Sequence, residues 1–276
     1  MNVSDKNPEI ANSIQTGSFK TNYHDVGDGD NVFLIHGSGP GVTAWANWRL
    51  CLPAFSEYFR VVAPDMSGFG FTERPDDVEY NMDNWVSHAI DLMDALNIEQ
   101  TNLVGNSFGG ALALALTIRH PERVKKLVLM GSVGVHFELT EGLDEVWGYE
   151  ASSENMRKIM DYFAHDRNLV SDELAELRYK ASIQPGFQEA FSAMFPAPRQ
   201  RWIEGMQSPE ENIRNVKHDT LIVHGREDRV IPVSTSQRLF ELIERSQLHL
   251  FGQCGHWTQI EHNKRFNDLV INFFSE

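Results

Sequence analysis

The stretch GNSFG, residues 105–109, lies between a short β-type run at 101–104 and a long apolar run at 111–118 that stops before Pro121. Glycines beside a serine at a strand-to-helix turn allow close packing and backbone angles that larger residues resist. Such a turn lifts the serine hydroxyl above the sheet edge, where the helix N-terminus favours negative charge. A G-x-S-x-G match also occurs in ordinary loops, but its place between a strand and a helix predicts a nucleophile elbow at Ser107.

Apolar runs on either side of this turn alternate between strand-like and helix-like patterns. Residues 32–35 form a continuous apolar run typical of a buried strand, and residues 60–63, apolar after Arg60, predict another strand. Residues 84–96 carry apolar side chains at helical spacing. β-type runs return at 220–224 and 248–251. Strands that alternate with helices predict an α/β fold with a mostly parallel central sheet and helices on both faces.

Two segments depart from this alternation. Residues 14–35 consist of β-rich runs around a turn signal at 27–30, which predicts strand, turn, strand. Residues 136–207 are helical in propensity, rich in aromatic residues and methionine, and interrupted by prolines. We interpret this second segment as a helical lid inserted into a core formed by residues 1–135 and 208–276. The alternative is a continuation of the core helices.

The composition limits the classes of function. The 276 residues are 41% hydrophobic and 23% charged, which is ordinary for a globular protein. The formal net charge of −15 disfavours a nucleic-acid partner and means that an anionic substrate needs a local cation. Cys51 and Cys254 are widely separated and fit a reducing compartment. No signal peptide and no apolar run of membrane-spanning length is visible, so we expect a soluble cytoplasmic protein without a membrane partner.

A serine nucleophile needs a base, usually a histidine held by a carboxylate. Of eleven histidines, His256 follows the last predicted strand through a loop that can return its side chain over the sheet edge. Asp228 lies just past the strand that ends at His224, in the order Ser, Asp, His. Glu227 is the competing carboxylate, and the alternative role for Asp228 is turn formation or pairing with Arg226 or Arg229. Because Ser107, Asp228 and His256 all follow parallel strands, we expect them to meet at one edge of the sheet.

Acyl-type chemistry also needs donors for a developing oxyanion. We expect one from the backbone N–H of Phe108, next to the nucleophile, and one from the N–H of Ser38 in the glycine-rich loop at 36–41. A phosphate-binding loop is disfavoured, because neither G-x-x-x-x-G-K-[ST] nor G-x-G-x-x-G occurs there. The zinc protease motif HExxH is absent as well, and we expect neither a metal nor a cofactor.

These residues resemble the α/β-hydrolase superfamily over the whole chain and, within it, the meta-cleavage product hydrolases, which are carbon–carbon bond hydrolases of aromatic catabolism. The resemblance is carried by HGSGPGVTAWANWR (36–49), APDMSGFG (63–70), LVGNSFGGALALA (103–115), FPAPRQRW (195–202), HGRED (224–228) and FGQCGHWTQIEH (251–262). The chain is most similar to the 2-hydroxymuconate-semialdehyde and monoalkyl-ring-product members rather than to the biphenyl branch. The resemblance implies a dienol substrate with a carboxylate, cleaved by water to 2-hydroxypenta-2,4-dienoate and a small acid.

The resemblance also implies roles for individual residues. The family's triad falls on Ser107, Asp228 and His256, and its oxyanion hole on Ser38 and Phe108. The enzyme would first ketonise the dienol, with His256 as the proton shuttle, and then hydrolyse the distal ketone or aldehyde. The sequence leaves open whether the serine forms an acyl-enzyme or orients water for a gem-diol.

Arg178 lies where the family's lid arginine binds the substrate carboxylate. In the predicted helix at 171–182 it falls on an apolar stripe marked by Leu174, Leu177 and Ala181. An arginine on that face can point into a cleft and hold a carboxylate bidentately. The alternative is a side chain that extends to solvent.

Two further groups of residues complete the expected pocket. By resemblance, Asn47, Asn106 and Trp257 contact the polar dienoate end; helix capping, turn formation and core packing are the alternatives for them. The lid-side distal end is expected to include Val133, Ile203 and Val230. The size of the distal substituent does not follow from the sequence.

Two other functions share these features. A serine carboxylesterase or perhydrolase-like enzyme would use the same triad but needs no carboxylate-binding cation, so Arg178 discriminates against it. A non-catalytic ligand receptor of the same fold is the third hypothesis. A haloalkane dehalogenase is disfavoured because its nucleophile is an aspartate, whereas residue 107 is a serine. The expected partner is a small dienoate, and the family suggests a homodimer or a higher homo-oligomer.

Overall fold

The structure, a computed structural model, describes residues 7–276. Its strands form one sheet: β1 (Asn12–Thr16), β2 (Phe19–Val26), β3 (Asn31–Ile35), β4 (Arg60–Pro64), β5 (Thr101–Asn106), β6 (Val124–Met130), β7 (Thr220–Gly225) and β8 (Ser246–Phe251). The spatial order is β1-β2-β4-β3-β5-β6-β7-β8. The pairs β1–β2 and β2–β4 are antiparallel and all the others are parallel. The parallel strands therefore share one carboxyl edge, at which loops can converge.

Helices connect the strands and cover the sheet. They are α1 (Ala44–Trp48), α2 (Leu52–Phe55), α3 (Met82–Ala95), α4 (Phe108–Arg119), α5 (Glu141–Trp147), α6 (Ser153–Phe163), α7 (Asp172–Ser182), α8 (Phe187–Met194), α9 (Gln200–Gly205), α10 (Glu210–Arg214), α11 (Val233–Leu242), α12 (Thr258–Glu261) and α13 (Asn263–Ser275). Short 3-10 turns lie at Pro121–Arg123 and Arg167–Leu169. Within the described residues, no helix is long and apolar enough to cross a membrane.

The two faces of the sheet support separate apolar layers. Successive side chains of a strand point to opposite faces. In β3, Phe33 and Ile35 join a buried cluster that includes residues of α3 and α4. Val32 and Leu34 join a second buried cluster, which includes residues of α1, α2 and α13. The predicted α/β-hydrolase fold, with a mostly parallel sheet and helices on both faces, is confirmed.

The helical insertion follows β6. Between β6 and β7 the chain forms α5 to α10 and no strand. Its apolar residues, among them Met156, Ile159 and Phe191, belong to the same buried cluster as Phe33 and Leu103 of the sheet. The insertion therefore packs on the core without a separate hydrophobic centre.

The N-terminal strands differ from the prediction. Residues 14–35 contain three strands and two turns, because a two-residue turn at Gly17 and Ser18 separates β1 from β2. Gly17 has φ +55°, a conformation that glycine adopts without strain. The predicted turn at 27–30 is present between β2 and β3. A lone glycine followed by serine gave too weak a signal for the first turn.

Candidate active site

Ser107 occupies a strained turn between β5 and α4. Its backbone angles are φ 56° and ψ −115°, unusual for a residue with a side chain. Its N–H donates to the Met130 carbonyl (2.8 Å), and its own carbonyl accepts from the N–H groups of Gly110 (2.9 Å) and Val133 (3.2 Å). These bonds hold the serine in one orientation at the carboxyl edge of the sheet.

Glycines make this turn possible by removing side chains at points of close approach. A β-carbon on Gly105 would overlap the Gly109 carbonyl oxygen, and one on Gly109 would overlap the carbonyl oxygens of Ile35 and His36. Because the obstructing atoms are backbone, they cannot rotate away. The G-x-S-x-G spacing is thus required by packing of α4 against β5 and β3.

Asp228 and His256 form a hydrogen-bonded pair. His256 Nδ1 lies 2.7 Å from Asp228 Oδ2, and both side chains are almost fully buried. Asp228 Oδ1 accepts from the N–H groups of Val230 (2.8 Å) and Ile231 (3.0 Å). Burial alone would raise the pKa of Asp228, but the charge and hydrogen bonds of His256 and the hydrogen bond of His224 outweigh it and lower the pKa. The carboxylate therefore stays ionised and orients the imidazole.

Glu227, the competing carboxylate, is directed elsewhere. Its Oε2 accepts from the Cys254 N–H (3.0 Å) and its Oε1 from Arg226 Nε (2.8 Å). These contacts fasten the loop before His256. The hydrogen bond to His256 belongs to Asp228 instead.

Two glycines lie against the candidate triad residues. A β-carbon on Gly131, directly after β6, would be 3.4 Å from Asp228 Oδ2 and from His256 Nδ1. A β-carbon on Gly37 would be 3.4 Å from Ser107 Cβ. Gly37 and His256 line the same cavity. Among the described residues the hydrogen bond of the His256 imidazole is the one to Asp228, and none joins it to the Ser107 hydroxyl. Such bonds are often long without substrate.

The two expected oxyanion donors lie beside this group. Phe108 is the first residue of α4, and Ser38 lies in the loop after β3. Within residues 7–276, neither backbone N–H donates a hydrogen bond to another protein group. The Ser38 hydroxyl accepts from Trp147 Nε1 of α5 at 2.9 Å, so the insertion helps to fix this loop.

A cavity opens between the sheet edge and the insertion. The core side consists of Gly37, Ser38, Gly39, Pro40, Val42, Asn47, Asn106, His256 and Trp257, and the insertion contributes Met156, Ile159, Met160, Phe163 and Arg178. Its walls are mainly apolar, with few polar groups, which is typical of a small-molecule site. Six residues expected from the sequence are among them.

Arg178 supplies the cation of this cavity. Its Nη2 donates to the Gly41 carbonyl (2.6 Å), and its Nη1 lies 3.7 Å from Glu9 Oε1. Burial lowers the pKa of Arg178 from its usual value, opposed by the charge of Glu9. Arginine remains charged in proteins, so the side chain presents a partly desolvated positive charge at the cavity.

The expectation that Leu177 belongs to an inward-facing apolar stripe on α7 is wrong. That side chain is 63% exposed, whereas Ala175 and Ser182 are the buried residues of the helix. Arg178 lies three residues after Ala175 and four before Ser182, so it shares their inward face. The conclusion that Arg178 faces the cleft holds, although Leu177 marks the opposite side. A short helix with few apolar residues gave an ambiguous face.

Two asparagines meet at the cavity. Asn106 Nδ2 donates to Asn47 Oδ1 at 3.2 Å, and Asn106 Oδ1 is buried without a partner among the described residues. Thr43, rather than Asn47, caps α1, and Asn106 ends β5. The capping and turn alternatives therefore do not apply to them. Trp257 lines the cavity and also stacks on Phe163, with ring centroids 5.2 Å apart.

The three residues expected at the distal end are buried, and Val133 and Val230 are hydrogen-bonded to Ser107 and Asp228 through their backbone N–H groups. Val133, Ile203 and Val230 are each at most 1% exposed and belong to the apolar cluster shared by the core and the insertion. They are not among the residues that line the cavity. Their contact with a substrate stays a prediction.

Sequence reasoning missed Glu261, which joins the His256 loop to the insertion. Its Oε1 accepts from the Gly255 N–H (2.7 Å), and its Oε2 accepts from the N–H groups of His165 and Asp166, both at 2.9 Å. The His256 N–H also donates to the Phe163 carbonyl (2.7 Å). An acidic residue five positions after a candidate base carries no recognisable signal, because its partners are backbone groups distant in sequence.

Comparisons with known proteins agree with this geometry. The profile of the alpha/beta hydrolase fold family matches residues 30–263. A 2-hydroxy-6-oxo-2,4-heptadienoate hydrolase of Pseudomonas putida is 62% identical over 98% of this chain and 98% of its own length. A 2-hydroxymuconate semialdehyde hydrolase of Pseudomonas sp. (strain CF600) is 62% identical over 100% and 98%. The chain belongs to the meta-cleavage product hydrolases of the α/β-hydrolase family.

A solved structure of this family is similar to the chain as well. A meta-cleavage product hydrolase from Pseudomonas fluorescens IP01, crystallised as a serine-to-alanine mutant in complex with acetates, has a TM-score of 0.96 and 61% identity, covering 97% of this chain and 98% of that one. The choice of a serine for that mutant suggests a serine-dependent mechanism in the family. The chain is thus a hydrolase with a serine-dependent mechanism.

We predict that Glu261→Gln loosens the contact between the His256 loop and the insertion. An amide keeps one acceptor oxygen and loses the other, so at least one charge-assisted hydrogen bond is lost. The free energy of unfolding should fall by about 1–2 kcal/mol, and proteolysis near residues 163–166 should become faster. Thermal unfolding and limited proteolysis measure both effects.

The matched control is Glu57→Gln, an exposed glutamate in the connection between α2 and β4. It should behave as the unsubstituted protein does. Equal stability and equal proteolysis of the two variants would show that Glu261 does not hold the loop.

Proposed function

We propose that this enzyme hydrolyses the C–C bond of 2-hydroxy-6-oxo-2,4-dienoates, giving 2-hydroxypenta-2,4-dienoate and a small carboxylic acid. The proposal is supported by relatives named as hydrolases of 2-hydroxymuconate semialdehyde and 2-hydroxy-6-oxo-2,4-heptadienoate. The observation that carries it is that one cavity has His256, paired with Asp228, and Arg178 in its walls. Both a dienoate and a neutral ester need the base, whereas the carboxylate-binding cation is the group that a dienoate requires and a neutral ester does not.

In this proposal Ser107, Asp228 and His256 are the triad. Asp228 holds His256 Nδ1–H, which leaves Nε2 to move protons. In the first stage His256 transfers the proton that ketonises the dienol. In the second stage Ser107 Oγ or a water that it orients adds to the distal carbonyl, whose oxyanion accepts from the Ser38 and Phe108 N–H groups. The C–C bond then breaks, and protonation of the departing carbon releases the dienoate. In the water route the acyl fragment leaves directly as the carboxylic acid, whereas in the acyl-enzyme route a water activated by His256 breaks the bond to Ser107 and releases the acid.

The polar end of the substrate would lie at Arg178, Asn47 and Asn106. Arg178 already donates one N–H to Gly41 and keeps others for a carboxylate. The unpartnered Asn106 Oδ1 offers an acceptor for the enol hydroxyl of the dienoate. Trp257 would pack along the planar conjugated chain between the two ends.

For the distal group we propose hydrogen or methyl. The two relatives named above act on a semialdehyde and on a heptadienoate, whose distal groups are of that size. The rate should therefore fall from methyl through isopropyl to phenyl.

The remaining parts of the proposal concern organisation. We assign residues 136–207 as the lid, and 1–135 with 208–276 as the core, on the ground that the insertion forms one wall of the cavity. Residues 1–6 lie outside the described part. A cytoplasmic location is supported by the free cysteines Cys51 and Cys254, and a homo-oligomer by family resemblance; cell fractionation and light scattering test these two points.

We predict that Ser107→Ala lowers kcat for C–C cleavage by about 10³-fold or more, because the attacking or water-orienting hydroxyl is lost. The ketonised intermediate should still form, since His256 is intact. Stopped-flow absorbance should show loss of the dienolate without release of product. Ser38→Ala is the contrast: it keeps the backbone N–H, so turnover should fall by no more than about tenfold. Unchanged cleavage by Ser107→Ala would refute the proposed nucleophile.

We predict that Arg178→Gln raises KM for a dienoate by about 10–100-fold, the value of a charge-assisted contact. Hydrolysis of a neutral aryl ester should change little, because an ester offers no carboxylate to the guanidinium. Steady-state kinetics on both substrates measure the difference.

Arg201→Gln is the matched control, since Arg201 is an exposed arginine of the insertion that lies over the Trp202 ring. Its KM for both substrates should equal that of the unsubstituted enzyme. If Arg178→Gln affects ester and dienoate equally, the carboxylate contact is wrong and the esterase alternative gains support.

A further inference from the structure

A second histidine lies against the candidate triad carboxylate. His224, in β7, is fully buried, and its Nε2 is 3.1 Å from Asp228 Oδ2 and 3.0 Å from the Ile231 carbonyl oxygen. Its Nδ1 is 2.6 Å from the Ser236 hydroxyl of α11. The reaction proposed above makes no use of this imidazole.

The neighbours of His224 determine which ring nitrogen carries hydrogen. Both groups that face Nε2, a carbonyl and an ionised carboxylate, accept and cannot donate. Nε2 therefore carries a hydrogen and donates it to Asp228 and Ile231. In the neutral imidazole Nδ1 is then an acceptor, and the Ser236 hydroxyl donates to it. The Ser236 hydroxyl, which can donate or accept, thus fits the tautomer that the acceptors at Nε2 impose.

With this donor, both oxygens of Asp228 are saturated. Oδ1 accepts from the Val230 and Ile231 N–H groups, and Oδ2 accepts from His256 and His224. Ile231 is held twice, since its N–H binds the carboxylate and its carbonyl binds His224. The carboxylate cannot rotate without breaking several bonds in a dry environment, where unmade bonds are costly.

We propose that His224 is a positioning residue, which through its Nε2–H holds the Asp228 carboxylate in the orientation that directs His256. It also lies against Oδ2, so the negative charge of that oxygen is divided between His224 and His256. Ser236 supports it from the far side. The proposal rests on the triad of the proposed function, but not on the dienoate substrate.

The other ionisable groups near His256 are hydrogen-bonded to other partners, protonated or turned away from it. Glu227 is paired with Arg226, and Glu261 accepts three backbone N–H groups. Burial raises the pKa of the Cys254 thiol to about 12, so it stays protonated near neutrality. Arg229 is turned away, with its guanidinium over the Tyr162 ring.

Further groups lie on the cavity side, where Arg178 is the charged residue of the wall. It is cationic over the whole range of interest. Across the Asp228 carboxylate, the titratable group in contact besides His256 is His224. When His224 is substituted, a shift in the acid limb of the pH–rate profile therefore reports on the contact between His224 and Asp228.

The test uses a fluorophosphonate, which phosphonylates an activated serine without needing a dienoate. Ser107 Oγ would displace fluoride from phosphorus while His256 takes the hydroxyl proton. The second-order rate constant for labelling is measured between about pH 5 and about pH 9. The measurement compares the unsubstituted protein with His224→Phe, His224→Asn and His224→Gln. Mass spectrometry locates the labelled serine.

His224→Phe keeps a flat ring and removes the donor. In His224→Asn the shorter amide reaches only the position of Nδ1, so this variant also removes the donor at Nε2. It provides the test if His224→Phe does not fold. Either variant should react about 10–100-fold more slowly, with the acid limb about 0.5–1 pH unit higher, because the carboxylate loses one of its restraints and the charge of Oδ2 acts on His256 alone. His224→Gln, whose amide reaches the Nε2 position, should stay within about threefold of the unsubstituted protein.

Three results would overturn the proposal. One is a folded His224→Phe or His224→Asn variant with unchanged rate and acid limb; another is a His224→Gln variant as impaired as those two. The third is an unsubstituted protein that does not react at Ser107, which would remove the triad as well. Reaction at Ser107 without turnover of any dienoate would instead remove only the substrate assignment and leave the role of His224 supported.

Discussion

The strained backbone of Ser107 is the constraint on which the site depends. A positive φ at a residue with a side chain costs about 1–3 kcal/mol, and the surrounding contacts must supply this energy. They do so through hydrogen bonds to β6 and through the approach of α4 to β5 and β3, which only glycine permits at residues 105 and 109. The serine is therefore presented by rigid elements rather than by a mobile loop. Rigid presentation keeps a nucleophile close to its productive geometry.

The insertion is coupled to the catalytic edge as well as covering it. Phe163 stacks on His256 and Trp257 and accepts from their N–H groups, and Glu261 binds backbone N–H groups on both sides of the boundary. Trp147 reaches the Ser38 loop from the opposite end. The chain carries a net charge of −15, and in the proposed function the local cation at Arg178 allows an anionic substrate to bind in this cavity. Structure and charge at the site are thus both set by the insertion.

Local patterns made much of this predictable. The elbow, the order of Ser107, Asp228 and His256, and their positions after strands follow from short motifs and from the common carboxyl edge of parallel strands. The fold follows from the alternation of apolar runs. The exposed Leu177 could not be predicted, because which face of a short polar helix turns inward depends on what it packs against. Glu261 and His224 were missed for a related reason: their partners lie on other elements, so sequence spacing does not reveal them.

The most direct test of the account is a crystal structure of Ser107→Ala with a 2-hydroxy-6-oxo-2,4-dienoate bound. The account predicts the carboxylate on the Arg178 guanidinium and the distal carbonyl oxygen within hydrogen-bonding distance of the Ser38 and Phe108 N–H groups, with His256 beside the dienol carbons. A carboxylate bound away from Arg178, or a distal carbonyl directed away from those two N–H groups, would contradict it.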